Sequence, residues 1–545
     1  MSSLARSIRP TLRSLTRRPT FLVATVLTLG LGRGAATAIF TLLERVVLDP
    51  LPYPHADRLV RLKNPVPGVG ANTEWELSTA QYFYFTAHAK SLAEIGLFDQ
   101  APAILTGKDG APSQRVMVAD VTATIFDLLG AHAVHGRMID RHDDSVGAPP
   151  VAVLSYDFWK REFGGDAAAV GRTLRISDET VQVVGVMAPG VELPGEPGQT
   201  LRTATDIWIP RRLNPAGPFY NSHVNPAIAQ LAPGATPATA QAELARLTPQ
   251  LAAAFPLAYS PSFFSRFQFH TIVVPLRAYV IGRVGRYLWI LFGAVGLVLA
   301  IACANVVNLL LVRLEVRRRE FAVRTALGAR ARDHLADAFR EALVLSALGA
   351  ALAFGLADAS VRWLVTLAPP GLPRLENLRL DGRVFLFTIG LALVISGVLA
   401  LLPVVQGRAA STVATLGDGG RTSTIGVERR RIRAGLVVGQ VALALMLLVS
   451  AGLLLRSFAR LRAVDPGINP QGVLAVDVYL PPQGYDSAYQ AWQFYSRVLS
   501  SVRALPGVAG AGFSSEIPLE GGYGCTVQGF EDQAVYQRVR DANET

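Results

Sequence analysis

The sequence predicts an α-helical integral membrane protein with mixed α+β extracytoplasmic domains and an internal duplication. Three observations predict it. Five stretches are apolar and long enough to span a bilayer, since about 20 residues at about 1.5 Å each cover the hydrocarbon core. Arginine is concentrated in three segments that alternate with the apolar and polar stretches. The polar remainder mixes strand-like alternation with helix-like periods.

Composition supports the first observation. Half of the 545 residues are hydrophobic and only 17% are charged, with a mean hydropathy of +0.33. A soluble chain of this size carries more charge. Two cysteines, Cys303 and Cys525, exclude a disulfide framework. The net charge of +11 raises the question of nucleic acid, and its placement answers it. Residues 1–20 hold five Arg and no acid, residues 313–332 carry +5 and residues 407–433 carry +4, so the rest of the chain is slightly acidic. Basicity placed this way is a topology signal, and no nucleic-acid partner is expected.

The chain opens with a cytoplasmic arginine-rich segment, residues 1–20, containing Arg6, Arg9, Arg13, Arg17 and Arg18. Pro19 leads into the first span, residues 21–43. A cleaved signal peptide is the competing reading, because Ala36-Thr37-Ala38 resembles a cleavage site. The apolar character continues through Ile39, Phe40, Leu42 and Leu43, which favours a retained anchor. Gly30, Gly34 and Ala38 fall four apart on one helical face and form a candidate packing face for a neighbouring helix. Arg33 lies near the middle of this span, where a charge is expected to face protein or water.

Residues 44–286 hold no stretch apolar enough to span and form one large domain, outside the cytoplasm by alternation. Strand-like runs occur at residues 151–154, 180–186 and 206–209, and helix-like patterns at 78–89 and 236–253. His132, His135, His142, Asp143 and Asp144 offer metal-ligand chemistry, but their spacing matches no zinc motif and a surface turn accounts for them. No metal site is expected. The motifs G-x-S-x-G, H-E-x-x-H and C-x-x-C are absent, so no catalytic residues are assigned.

The second span, residues 287–312, stops at a basic elbow, residues 313–341. There Phe321, Val323, Ala326 and Leu327 are interleaved with Arg317, Arg318, Arg319, Glu320 and Arg324, and Gly328 reads as a helix stop. A short amphipathic helix at the membrane face fits this pattern. It serves either as an interfacial helix held by anionic headgroups or as a docking helix for a cytosolic partner.

The third span is residues 342–368, with Asp358 and Arg362 placed to pair at i,i+4. An outer loop, 369–383, leads to the fourth span, 384–405. Asn305 and Asn308 in the second span are expected to hydrogen-bond to neighbouring helices or to their own turn. A flexible cytoplasmic linker is expected at 406–433, a fifth span at 434–455, and a partial second extracytoplasmic domain at 456–545. Both halves thus open with an arginine-rich segment, one span and a strand-containing domain, which is an internal repeat.

These residues also carry a resemblance. IACANVVNLLLVR followed by RRREFAVRTALGA resembles the signature of ABC-transporter permeases of the MacB/FtsX type. TLGLGRGAATAIFTLLERVVLDPLPYPHADRLVRL looks like their start, and VAVLSYDFWKREFGGDAAAVGRTLRI with VQVVGVMAPG resembles their extracytoplasmic core domain. RAGLVVGQVALALMLLVSAGLLLRSFARLRAVDPGINPQGVL and RALPGVAGAGFSS are similar to the second half of the duplicated "orphan permease" branch, often called ADOP. The chain departs from the family pattern at Arg33, where an aliphatic residue is usual, and at Ala36, where Asn is usual. The resemblance implies three further spans after the second domain. Their absence here implies a fragment or a chain completed by a partner.

The resemblance further implies a non-catalytic permease subunit of an ABC export or mechanotransmission complex in a bacterial inner membrane, with a cytoplasmic N-terminus. Residues 315–329 would be the coupling segment that meets a separate ATP-binding subunit, with contacts from Arg317, Arg318, Arg319, Glu320, Phe321, Arg324, Ala326, Leu327 and Gly328. No G-x-x-x-x-G-K-[ST] pattern occurs, so ATP with Mg is expected on that partner and no cofactor on this chain. Other partners compatible with the resemblance are the lipid bilayer, a periplasmic adaptor and a second permease chain. The alternative function is a membrane-anchored binding or scaffold protein without ATP coupling. The elbow separates the two, since an anchor has no need of apolar residues between its arginines.

Overall fold

The first span begins as the 25-residue helix α1, Pro19–Leu43, and tightens into a five-residue π turn, Glu44–Leu48. In this computed structural model the described residues are 16–514, apart from 49–50, 108–112, 196–203, 216–221, 317–330, 368–380, 415–422, 465–471 and 481–486 and the single positions 18, 72, 178, 283, 477 and 479. Beyond the π turn the chain builds a sheet domain and then returns to apolar helices.

The domain runs β1 (Leu59–Pro65), β2 (Glu74–Trp75), α2 (Thr79–His88), β3 (Leu92–Leu105), β4 (Gln114–Val121), α3 (Thr124–Leu129), β5 (Ala133–Gly136), β6 (Val151–Leu154), α4 (Tyr156–Phe163), β7 (Thr173–Ile176), β8 (Glu179–Met187), β9 (Ile207–Pro210), β10 (Ala227–Leu231), α5 (Pro237–Leu247), α6 (Leu251–Ala254), α7 (Pro261–Phe267), β11 (Ile272–Pro275) and α8 (Leu276–Ile281). One mixed sheet joins the strands in the order β11-β1-β10-β3-β4-β9-β6-β8-β5, with β2 on β1 and β7 on β3 and β8. Pairs β4–β9 and β6–β8 are parallel, the remainder antiparallel. The all-apolar β6, Val-Ala-Val-Leu, is buried at every position, as suits a strand covered on both faces. At the β11 edge, Gln241 of α5 accepts from the Val273 N–H at 2.7 Å and donates to the Thr271 carbonyl at 2.8 Å. The side chain thereby occupies backbone groups that an open edge would offer to another chain.

Local chemistry sets the helix ends. Ser78 Oγ accepts from the Gln81 N–H at 3.0 Å while Gln81 Oε1 accepts from the Ser78 N–H at 3.1 Å, a capping box contributing about 1 kcal/mol. The helix expected over 236–253 is instead split by the 3₁₀ turn Thr248–Gln250. Pro249 has no N–H to donate there.

The membrane segment holds α9 (Val284–Val316), α10 (Ala331–Leu367), α11 (Gly382–Ala414) and α12 (Ser423–Arg462). With α1 these are the five helices long and apolar enough to cross a membrane among the described residues. They run past the expected span limits. α10 begins eleven residues before position 342, since Ala331 opens a run rich in Ala, Leu and Arg, which are good helix formers. Residues 331–341 of the expected coupling segment are therefore helical turns continuous with the third span. Helix likewise occupies 406–414 and 423–433 of the expected flexible linker.

Residues 459–545 form a separate compact unit. Its helix α13, Ala488–Arg503, opens with a second capping box, Ser487 with Gln490 at 3.3 Å in both directions. Ser487, Gln490 and Phe494 repeat the spacing of Ser78, Gln81 and Phe85. Tyr495 packs on Phe513 at 4.8 Å between ring centroids.

Candidate functional site

The elbow residues Arg317, Arg318, Arg319, Glu320, Phe321, Arg324, Ala326, Leu327 and Gly328 lie outside the described residues. What is described is the bundle on either side of the elbow and the joint by which that bundle reaches the outer domain.

Gly30 and Gly34 face α10. A Cβ at Gly30 would stand 2.6 Å from Leu352 Cδ2, and one at Gly34 would stand 3.1 Å from Leu356 Cβ and 3.3 Å from the Ala353 carbonyl oxygen. The backbones approach this closely because neither glycine has a side chain. Ala38, the third residue of that row, is only partly buried. Gly32, which the four-residue row does not include, faces the other way, and its added Cβ would meet Leu299 and Ala302 of α9 at 3.2 and 3.3 Å. α1 is thus packed on two faces.

Arg33 is fully buried among these helices. Its guanidinium donates to the Ser346 carbonyl and to Ser346 Oγ, both at 2.6 Å, and Ser346 Oγ donates onward to the Ala392 carbonyl of α11 at 2.8 Å. No carboxylate pairs with it among the described residues. Nearer the outer face Thr37 bonds Thr388 at 3.2 Å, and Phe40 stacks on Phe387 at 4.0 Å. Asn308 Oδ1 in α9 is buried and makes no hydrogen bond among the described residues, unlike the expectation, while Asp358 and Arg362 pair at 2.8 Å on an exposed face.

Charged pairs close the bundle at both ends. At the elbow end, Arg313 of α9 pairs with Glu341 of α10 and lies 4.6 Å from the ring centroid of Phe21 in α1. At the outer end, buried Glu44 accepts from Arg383 at 3.0 Å and sits 3.6 Å from Arg45, which pairs with Asp381 at 3.3 Å. Asp381 Oδ1 also accepts from the backbone N–H groups of Arg383 and Val384, capping the start of α11. Glu44 and Arg45 directly follow an apolar run, and nothing in the sequence paired them with 381–383.

The outer end continues into the sheet domain through two paths of chain that meet. The first leaves α1 by the π turn, and the second enters α9 from α8. Arg277 of α8 donates to the Val47 carbonyl at 2.7 Å and ties one path to the other. Tyr279 of α8 covers Arg61 of β1 at 5.3 Å, with Phe98 at 5.4 Å. Arg61 is itself buried and gives both carboxylate oxygens of Glu76 a bond at 2.9 Å. The joint is therefore built from buried, paired charges with fixed geometry.

Elsewhere in the domain the polar clusters are structural. His132, His135 and His142 are exposed. Asp143 pairs with Arg137 at 3.0 Å, and Asp144 accepts from the Ala123 and Arg212 N–H groups at 3.0 and 2.8 Å. Burial pushes the Asp144 carboxyl upward, against those bonds. No group of three or more His, Cys, Asp or Glu that could hold a metal occurs among the described residues. His223 bonds the Glu76 carbonyl through Nδ1 at 3.1 Å and accepts from the Tyr259 hydroxyl through Nε2 at 3.1 Å. Burial pushes its pKa down to about 4, and Nδ1 therefore carries the proton of a neutral ring.

Comparison with known proteins gives this architecture a family. Residues 22–247 match the MacB-like periplasmic core domain, and residues 292–412 match the FtsX-like permease C-terminal region. The macrolide export ATP-binding/permease protein MacB of Chromobacterium violaceum is 26% identical over 278 residues, 48% of this chain and 40% of that protein. The MacB of Burkholderia cenocepacia is 24% identical over 248 residues, 44% of this chain and 34% of that protein. The chain thus spans less than half the length of these relatives. Among solved structures, the periplasmic region of MacB from Actinobacillus actinomycetemcomitans aligns at 13% identity and a TM-score of 0.29, covering 40% of this chain and 89% of that one. The extracellular domain of the ABC-type transporter YknZ from Gram-positive bacteria aligns at 10% identity and a TM-score of 0.28, covering 40% and 99%. The two family matches fall on the sheet domain with its anchoring helix and on the bundle, and together they support a permease of the MacB/FtsX type.

Proposed function

We propose that the chain is the permease subunit of an ABC-type export or mechanotransmission complex in a bacterial inner membrane, N-terminus in the cytoplasm. In this reading ATP with Mg binds a separate subunit docked under residues 317–328, and this chain hydrolyses nothing. One observation carries the proposal. α10, which starts at the elbow, packs along α1, and α1 runs through the π turn into the outer domain. Displacement of the elbow is thereby delivered to the domain by rigid elements, which is what a mechanical relay requires. The spacing of α13 and its capping box supports a duplicated permease whose second domain begins after α12.

The test is capture of ATP-binding subunits from the same cell by the detergent-solubilised chain, beside a variant carrying Arg318→Asp, Phe321→Asp and Leu327→Asp. Capture by the native chain and its loss in the variant is the expected result. Absence of any captured ATP-binding subunit with both chains overturns the coupled reading and favours a membrane-anchored scaffold.

A further inference from the structure

We propose, resting on the permease reading, that Arg33 is a positioning residue that pins α1 to α10 so that the two helices move as one body. The need for such a pin follows from the path of the chain. Both α9 and α10 adjoin the elbow, but only α9 continues directly into the outer domain, through α8. α10 ends at Leu367, and the next described helix is α11. The displacement of α10 reaches the domain through its neighbours, and α1, packed along it, continues through the π turn to β1.

The α1–α10 contact is well shaped but smooth. Gly30, Gly34 and Gly349 bring the backbones together against Leu352, Leu356 and Leu29. Small-residue contacts of this kind permit close approach, and they do little to resist sliding along the helix axis. Arg33 supplies the resistance. It is fully buried halfway along an apolar helix, and its two hydrogen bonds end on the carbonyl and the hydroxyl of a single residue, Ser346. Sliding α10 by one residue moves both acceptors away from Arg33 and leaves a guanidinium charge buried without them. Ser346 Oγ is in turn held by the Ala392 carbonyl, so the acceptor cannot rotate away without losing its own partner. No carboxylate competes for Arg33 among the described residues. A salt bridge could re-form in several geometries, whereas this paired bond has one register.

The experiment is pulsed electron–electron resonance on the full chain in lipid nanodiscs. Cys303 and Cys525 are changed to Ser, and spin labels are placed by Leu31→Cys in α1 and Leu348→Cys in α10, both exposed positions. The native pin gives a narrow distance distribution. Arg33→Met keeps length and loses the donors, and roughly doubles its width. Arg33→Lys, which still donates to the Ser346 oxygens, restores most of the narrow width, a rescue that general loss of packing would not show. Ser346→Ala removes only the hydroxyl acceptor and gives an intermediate width, which keeps the test decisive where Arg33→Met fails to fold. Equal widths in the native protein and in the folded variants overturn the proposal. Where an ATP-binding subunit has been captured, ATP with Mg should leave the α1–α10 separation unchanged, and an ATP-driven change in it also overturns the pin. Failure to capture a subunit sinks the permease reading alone, because the widths are measured without it.

Discussion

Glu44, at the end of α1, accepts a hydrogen bond from Arg383, at the start of α11, at 3.0 Å and across 339 residues of chain. Glu44 is almost wholly buried, whereas the Arg383 side chain is 67% exposed. The asymmetry predicts unequal effects of removing each partner. Glu44→Ala removes one partner from a largely exposed Arg383, while Arg383→Ala leaves a buried carboxylate with Arg45 at 3.6 Å. Arg383→Ala should lower stability by about 1–3 kcal/mol, and the double variant by less than the sum of the singles. Thermal unfolding of the four proteins in detergent measures the coupling. Additive losses would show that the pair does not close the outer end of the bundle.

Arg61 and Glu76 form the joint on which α8 rests. One guanidinium nitrogen of Arg61 bonds both Glu76 oxygens. Removing one partner of such a buried pair is costly, so Glu76→Ala should destabilise the outer domain by about 3–5 kcal/mol. Glu74→Ala, which removes an exposed partner of Lys63, should change stability by less than about 1 kcal/mol. Denaturant titration followed by tryptophan fluorescence compares the two. Similar midpoints for both variants would contradict the assignment of Arg61 and Glu76 as the joint.

His223 makes the domain acid-sensitive. Its pKa is pushed down from 6.5 to about 4 by burial, against the raising influence of its bond to the Glu76 carbonyl. The unfolded chain binds the proton first as pH falls below about 6.5. Stability contributed by neutral His223 is then lost progressively until about pH 4, by up to about 3 kcal/mol. His223→Gln keeps a donor and an acceptor without titrating, so the decline between pH 6.5 and 4 should flatten. An unchanged slope in that variant would remove His223 from the account.

Asp120 acts in the opposite sense. Burial raises its pKa to about 6, and Asp99, its cross-strand partner, adds to the rise while Arg211 opposes it. Between about pH 4 and 6 the folded domain keeps a proton that the unfolded chain releases, so this contribution weakens as pH rises through that window. The side chain is 42% exposed, and solvent screening keeps the effect small. Asp120→Asn should therefore make the domain relatively more stable at pH 7 than at pH 4. Parallel pH profiles for variant and native protein would count against it.

Gly34 tests the helix packing without involving any charge. Leu at this position must displace Leu356 and the Ala353 backbone, so Gly34→Leu should destabilise the bundle by about 1–3 kcal/mol. Gly293 of α9, whose added Cβ meets nothing within 4 Å, should tolerate Leu. Detergent-resistance and thermal-shift measurements read both, and equal tolerance would refute the close α1–α10 approach.

Much of this protein is written in local periods. Five apolar helices are expected from stretches of adequate length, because a span must satisfy its backbone within itself and leaves an unbroken apolar run. Strands β6, β8 and β9 coincide with β-branched runs, and α2 is bounded by Ser78 and Gln81, whose side chains act on backbone three residues away. Gly30 and Gly34 were legible as one face for the same reason, since a helix fixes which residues share a side. Helices α10 and α12 begin earlier in the chain than the apolar runs they carry, within segments expected to be elbow and linker. The partners were decided only by the tertiary structure. Arg33 announced a cost but not Ser346, 313 residues away, and nothing in the sequence joined Glu44 to Arg383. The same holds for the strand order that sets β10 beside β1 and β3. Sequence spacing specifies which groups need a partner, because burial and period are local. Which group answers that need depends on how distant elements pack, and that is settled only when the whole chain has folded.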